Sequence, residues 1–419
     1  MGEKIRDIRK SMGISQAEFS KSIGCSQSAV SHFEVGRTKI TGDQLDLARK
    51  ALGIDKVPFL DGEDEIYKAR LHLWGEILNA GRIDEAREMR EELASITKLS
   101  FKKELLMTFH LFDIKLLLIE KDFATSQELL DQLQHSIKDA TIENKHHFHF
   151  NLGNFNIYKG DYSLALENYL ICCDLSKDKD VSHMLYFNIA LCYHKLGMYF
   201  SAITTLERIY HSHYDKISSM FSMRMDDLLG VNYLLIGRTS HAKQFFDICL
   251  KKAKINNNEM FMAFSLHNHG CVCLNLKEYK NALEFFKKTY SHTKEGLKVH
   301  YENMYYEALC LIAMRSLSKS KVRLSHAKAI AASRESKHYM LLYDSLECLL
   351  TIRENTSIEY IEQTTLTYLI EKKEYFRVLE YCEVLADILI KKNSKMKAME
   401  IKELAHKLRL EIMQGGNAE

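Results

Sequence analysis

A single proline in 419 residues, Pro58, constrains this chain more than any other feature. Sheet-rich folds need frequent proline and glycine to punctuate their turns. With only 18 glycines beside that proline, the sequence predicts helix nearly throughout. Hydrophobic residues make up 46% of the chain and charged residues 27%, enough to pack helices on one face and solvate them on the other. No stretch approaches the roughly 20 consecutive apolar residues of a membrane helix; the longest, around Leu116 to Ile119, is bounded by charge. The first residues, Met1-Gly2-Glu3-Lys4-Ile5-Arg6, lack the apolar segment of a secretory signal. The expectation is a cytoplasmic protein with no membrane partner.

Ten cysteines occur without the paired two-residue gaps of a structural zinc site. Cys172 and Cys173 are adjacent, Cys271 and Cys273 are one residue apart, and the other six are single, so reduced and mostly buried thiols are expected. The run Lys145-His146-His147-Phe148-His149 puts His146 and His149 on one helix face but brings no carboxylate or cysteine partner. Neither a metal nor a cofactor is expected. There is no phosphate-binding loop, no His-Glu-x-x-His and no nucleophile elbow, so the sequence does not read as an enzyme.

The formal net charge is only +2, but residues 1–60 hold ten Lys and Arg against seven Asp and Glu, a local excess of +3. That segment predicts four short helices. Ile5, Ile8 and Met12 form an apolar stripe ended by Gly13. Ser15-Gln16-Ala17-Glu18 is a capping box that starts a second helix, ended by Gly24. Ser26 caps a third over Gln27 to Glu34, and a fourth starts near Thr41 with Leu45, Leu47, Ala48, Ala51 and Leu52. With Ala17, Phe19, Ile23, Val30 and Phe33 inward, Gln27, Ser28, Ser31 and His32 face outward, and all four can bond base edges or phosphates. A solvated face on an ordinary bundle would not need the capping box, the turn glycine and this spacing together.

These residues, Ile14-Ser15-Gln16-Ala17, Gly24, Ser26 to Ser31 and Phe33 to Arg37, resemble the lambda-repressor-like (Cro/C1-type) helix-turn-helix family. The resemblance implies that Gln16 bonds a phosphate and braces Gln27, that Gln27, Ser28 and Ser31 read bases in the major groove, and that Arg37 and Lys39 hold the backbone. It also implies an ion pair between Arg9 and Glu34. Ser20 and Cys25 depart from the family, which usually has Ala and an aliphatic residue there.

The segment 53–62, which contains Pro58, reads as a junction, giving a DNA-binding domain over 1–60 and a second domain over 64–411. Beyond it the sequence repeats. Asn151-Leu152-Gly153, Gly160-Asp161-Tyr162, Ala165 and Tyr169 recur as Ile189-Ala190, Gly197, Tyr199, Ala202 and Leu206, then as Leu229-Gly230, Gly237, Ala242 and Phe246, then as His269-Gly270, Tyr279, Ala282 and Phe286. Weaker copies lie around Trp74 to Ala86, Phe109 to Ser126, Ala308 to Ala331 and Tyr360 to Val378, for eight or nine helical pairs. The pattern resembles the tetratricopeptide repeat, which implies an all-α architecture in which the helix-turn-helix is followed by a right-handed superhelix with a concave wall.

Polar residues on the first helix of successive units are candidates for that wall: Asn151, Asn154, Asn188, Asp227, Asn232, His267 and Asn268. One asparagine is ordinarily a local hydrogen-bonding residue. A recurring ladder of them suits an extended peptide, because an amide both donates and accepts. Tyr158, Tyr193 and Tyr233 read as packing residues.

A helix-turn-helix of this type joined to tetratricopeptide repeats resembles the Gram-positive peptide-pheromone receptors of the RRNPP family, a layout shared by phage receptors of the arbitrium type. The resemblance implies quorum sensing: a short signalling peptide in the groove, a homodimer or tetramer, and a palindromic double-stranded DNA operator. It also leaves a second reading open. Some members bind a response regulator of the sporulation phosphorelay and sequester or dephosphorylate it, with peptide as antagonist.

Overall fold

The computed structural model describes residues 2–52, 63–97, 103–176, 181–213, 217–293, 298–351 and 355–414. Every regular element among the described residues is helical, and none of these helices is long and apolar enough to cross a membrane. The expected junction at 53–62, with Pro58, lies outside the described residues. The chain forms two compact units, one of residues up to 160 with 171–177, the other of 161–170 with 178 onward.

The first unit opens with α1 (Gly2–Ser11), α2 (Gln16–Ser22), α3 (Gln27–Glu34) and α4 (Gly42–Ala51). Ser15 accepts from the Glu18 N–H while Glu18 reaches back to the Ser15 N–H, closing the expected capping box. Thr41 and Gln44 close a second box at α4. Between α2 and α3 the backbone turns through Gly24 at φ +67°, a conformation that costs a side-chain-bearing residue about 1–2 kcal/mol. Ile5, Ile8, Phe19, Ile23, Val30, Phe33, Ala48 and Leu52 form one buried core. Two residues of the predicted stripe fall outside it: Met12 lies past the end of α1 and is exposed, and Ala17 faces solvent. The buried Ser20 hydroxyl donates to the Ala17 carbonyl at 2.9 Å, so its departure from alanine leaves no unmet polar group.

The unit continues through α5 (Glu63–Asn79), α6 (Ile83–Thr97), α7 (Lys103–Glu120), α8 (Phe123–Gln134) and α9 (Ile142–Lys159). The only tryptophan, Trp74, is fully buried among Phe109 and Phe112, and its indole N–H donates to the Ala86 carbonyl at 2.9 Å. After α10 (Tyr162–Ser176), whose residues divide between the units, the second unit holds α11 (His183–Lys195), α12 (Tyr199–His213), α13 (Ser219–Leu235), α14 (Thr239–Ile255), α15 (Glu259–Asn275), α16 (Tyr279–Thr289), α17 (Lys298–Ala313) and α18 (Leu317–Ser333). It ends with α19 (Lys337–Thr351), α20 (Asn355–Tyr360), a π-helical turn over Ile361–Leu366, α21 (Thr367–Glu371), α22 (Tyr375–Lys391) and α23 (Lys395–Gln414). One core cluster runs from Phe187 to Ile412.

The repeat rests on size complementarity. Ala202, Ala242 and Ala282 are fully buried where paired helices touch. Gly230 and Gly270 lie in mid-helix, where a Cβ would come within 2.4 Å of Phe246 and 2.3 Å of Phe286. The last sequence copy, Tyr360 to Val378, straddles two pairs, because α22 packs principally on α23 and the π turn precedes it.

Candidate functional sites

At the N-terminal end, Glu34 organises the presentation of α3. Its carboxylate is only 1% exposed and accepts from Arg9 Nε at 2.6 Å, Arg9 Nη2 at 3.0 Å and Gln16 Nε2 at 2.7 Å. Arg9 Nη1 also donates to the Ile14 carbonyl at 2.6 Å. One buried charge pair thereby ties α1, the turn before α2, α2 itself and the end of α3 together, and its hydrogen bonds offset the desolvation of both charges. The Gln16 amide is turned to Glu34, and among the described residues no hydrogen bond joins it to Gln27. A buried carboxylate is a stronger acceptor than a neutral solvated amide, which explains the choice.

Val30 and Phe33 anchor α3 in the core, and its other face is open. Gln27, Ser28 and His32 are exposed, and Ser31 is half-buried beside them. Arg37 and Lys39, just beyond α3, are exposed and form no ion pair among the described residues. This is a polar, uncommitted helix face flanked by two cations.

The residues read as a polar ladder have divided fates. Asn151 and Asn154 belong to the first unit. Asn151 is 2% exposed and donates to the Leu111 carbonyl at 2.6 Å; Asn154 is half-buried. In the second unit, Asn188 donates to the Tyr169 hydroxyl at 3.3 Å. Asn232 is wholly buried, donating to the Leu228 carbonyl at 2.6 Å and accepting from His194 Nδ1 at 3.1 Å. Asp227 accepts from Asn268 Nδ2 at 2.7 Å, and His267 Nδ1 faces Asn303 Oδ1 at 2.6 Å. Asn151 and Asn232 are thus interior ties, because a buried amide must be satisfied where it sits. His267 and Asn268 line a cavity.

That cavity, about 340 Å³, lies within the second unit between α11, α13, α15 and α17 on one side and the start of α22 with the turn before it on the other. Its centre is Arg377, 5% exposed, whose guanidinium stacks over Tyr305 and Tyr306 and donates to Glu302 and to Glu374, the latter at 2.7 Å. Burial disfavours the charged form of Glu302, but Arg377, Lys298 and His267 outweigh it and hold the carboxyl at about 2. His194 is pushed down to about 4 by burial and by Lys195. Because Asn232 donates its amide to Leu228, its oxygen takes the His194 Nδ1 proton, and Nε2 is left as an acceptor at the cavity wall. Asp227, beneath Asn268, is raised to about 7 by burial against the opposing pull of that hydrogen bond.

Lys195, Lys298, Lys372, Lys373, Arg377 and Glu302 were not legible as site residues. The one hint is Arg377 itself, a charge inside the otherwise apolar run Tyr375-Phe376-Arg377-Val378-Leu379. The first unit has its own cleft of about 570 Å³, with Lys68, His72, Glu76, Lys115, Glu143 and His147 among its lining. Burial lowers Lys115 there to about 8.

Comparison with known proteins agrees with this layout. A helix-turn-helix family model matches residues 5–59 and a tetratricopeptide-repeat model matches residues 265–290. The transcriptional activator NprA of Geobacillus stearothermophilus is 24% identical over 395 residues, covering 89% of this chain and 94% of that protein. Among solved structures, the apo form of the quorum sensor NprR from B. thuringiensis superposes with a TM-score of 0.68 at 18% identity, covering 83% of this chain and 99% of that one. NprR in complex with its cognate peptide NprX gives a TM-score of 0.63 at 18% identity, covering 82% and 99%. These two share the fold. Both motifs are thus matched in this chain, a helix-turn-helix at its N-terminus and a tetratricopeptide repeat within an all-α array.

Proposed function

We propose that this chain is a DNA-binding transcription regulator set by a short peptide, with residues 1–60 reading DNA and residues 64–411 sensing the signal. The observation that carries the reading is the uncommitted face of α3, held rigidly by the Glu34 hub, on the same chain as a repeat-domain cavity with polar and aromatic walls. The matched relative is named a transcriptional activator, and the NprR structure holds a cognate peptide, which supports the same pairing here. Gln27, Ser28 and Ser31 are assigned to base edges, with His32, Arg37 and Lys39 to the flanking backbone. Peptide acts by binding one conformation of the repeats better than another, since equal affinity would shift nothing. His267 and Asn268 remain the ladder residues placed to meet it, with Asn154, Asn188 and Asp227 as secondary candidates. Two copies or four, acting in the cytoplasm, bind a palindromic operator, because a small motif gains specificity from a second half-site.

The test is fluorescence anisotropy of the full chain against duplexes selected from random sequence. Expected is a sequence-selective complex whose affinity falls with salt and is lost in Gln27→Ala/Ser31→Ala. A wild-type protein with no selective DNA affinity that nevertheless captures a response regulator would replace this reading with the phosphorelay one.

A further inference from the structure

In a repeat array each unit contacts its neighbours only, yet here the start of α22 reaches the turn between α11 and α12. Lys373 Nζ donates to the Leu196 carbonyl at 3.4 Å, 177 residues away in sequence. The Tyr375 ring lies edge-on to Tyr199, with centroids 6.5 Å apart, and passes 3.2 Å from where a Cβ on Gly197 would sit. Below this contact Asn275 donates to Glu380 at 3.2 Å. The result is a clasp across the cavity mouth, made of a few polar and ring contacts.

The clasp is electrostatically incomplete. It brings Lys195 and Lys298 on one side towards Lys372 and Lys373 on the other. None of these four forms an ion pair among the described residues. The two carboxylates at the cavity, Glu302 and Glu374, are both taken by Arg377. Arg377 itself, with a side chain 6% exposed, keeps a buried Nη1 that has no hydrogen-bond partner. All four lysines are exposed, so their mutual repulsion is screened and weak, whereas a buried guanidinium N–H without an acceptor costs about 1–3 kcal/mol. A single anionic group in the cavity would pair with Arg377 at its wall while drawing the lysines of both sides together.

We propose that this cavity takes a carboxylate of the bound peptide against Arg377 and the four lysines, and that this carboxylate is what holds the clasp shut. The inference rests on the peptide-sensing reading above. It leaves two sources for the group, the peptide's C-terminus or an Asp or Glu side chain, with the same chemistry.

Four heptapeptide libraries, with free or amidated C-termini and with or without Asp and Glu, are incubated with the full chain, and retained peptides are identified by mass spectrometry. The amidated, acid-free library should be retained about tenfold or more weakly than the best of the others, and whichever mixed library matches the best names the source. Because Arg377 also supports Glu302, the variant used is Lys298→Gln/Lys372→Gln/Lys373→Gln, all exposed positions. It should erase the difference between libraries while still retaining neutral peptides. Hydrogen exchange supplies the second readout: the best retained acidic peptide should slow exchange in segments 196–200 and 373–378 of the wild type. Equal retention of the acid-free amidated library overturns the anion site, and unchanged exchange on binding overturns the clasp. Retention of no peptide from any library would instead sink the peptide-sensing reading itself.

Discussion

Glu34 and Gln27 are both on α3, and they separate stability from recognition. Glu34→Ala strands the Arg9 guanidinium in a site where its side chain is 6% exposed, and removing one partner of a buried pair costs about 3–5 kcal/mol. For a four-helix unit of this size that approaches the whole stability, so urea denaturation followed by circular dichroism should show the N-terminal helices lost first. Gln27→Ala, at an exposed position, should leave the same curve unmoved and lower only DNA affinity. If Glu34→Ala unfolds like the wild type, the hub does not hold α3. In the second unit, burial raises both Asp227 and Glu380 to about 7, against about 4 in an unfolded chain. The folded state therefore keeps protons that the unfolded state has released. The stability they contribute is complete below the unfolded value and lost as pH rises through about 7. Melting temperature should accordingly rise between about pH 8 and pH 7, while His194, held at about 4 in the fold, acts with the opposite sign as pH falls further towards its unfolded value of about 6.5. Asp227→Asn/Glu380→Gln should flatten that rise; a rise of the same size in the double variant would assign it to other groups.

Between helices, the decisive contact is a missing side chain. Gly270→Ala would set a methyl 2.3 Å from the Phe286 ring, an overpacking that costs about 1–3 kcal/mol. Phe286→Leu alone should also destabilise, by opening space, but the two together should cost less than their sum, because the smaller side chain makes room for the methyl. Thermal melts of the two single variants and the double test this directly; strict additivity would mean the ring simply moves aside. The same contact shows what could be read from sequence. Ala242 and Gly230 stand at the same spacings from Phe246 as Ala282 and Gly270 do from Phe286, and Ala202 precedes Leu206 in the same way, so the period and the touching faces were visible. The Ser15 capping box and the Arg9–Glu34 pair were equally local or motif-bound. The cavity was not visible, because Lys195, Lys298 and Arg377 meet only after the chain has run through some 180 residues, and no periodicity ties α22 to α11. Asparagine recurrence misled at Asn151 and Asn232 for a related reason. An amide that bonds a neighbouring repeat, as Asn151 does to Leu111 and Asn232 to His194, recurs with the same period as one facing a ligand.

At the scale of the whole molecule, charge decides how tightly one copy can hold DNA. The chain carries only +2 in all and +3 over residues 1–60, so it has little long-range attraction for a polyanion. Each neutralised phosphate contributes about −0.9 to the slope of log affinity against log salt. If the cations of one N-terminal domain, Arg37 and Lys39 among them, make about three or four phosphate contacts, a single copy gives a slope near −3 and an affinity too weak to find one site in a genome. Two copies on inverted half-sites, one helical turn or about 34 Å apart, give a slope near −6 without any new contact per copy. Anisotropy titrations over a salt series, on duplexes carrying two half-sites or one, measure this. Arg37→Ala should reduce the two-site slope by about 2, one unit for each copy, and the one-site slope by about 1. Equal slopes on the two duplexes would mean that the protein reads DNA as a single copy, and the palindromic operator would have to be abandoned.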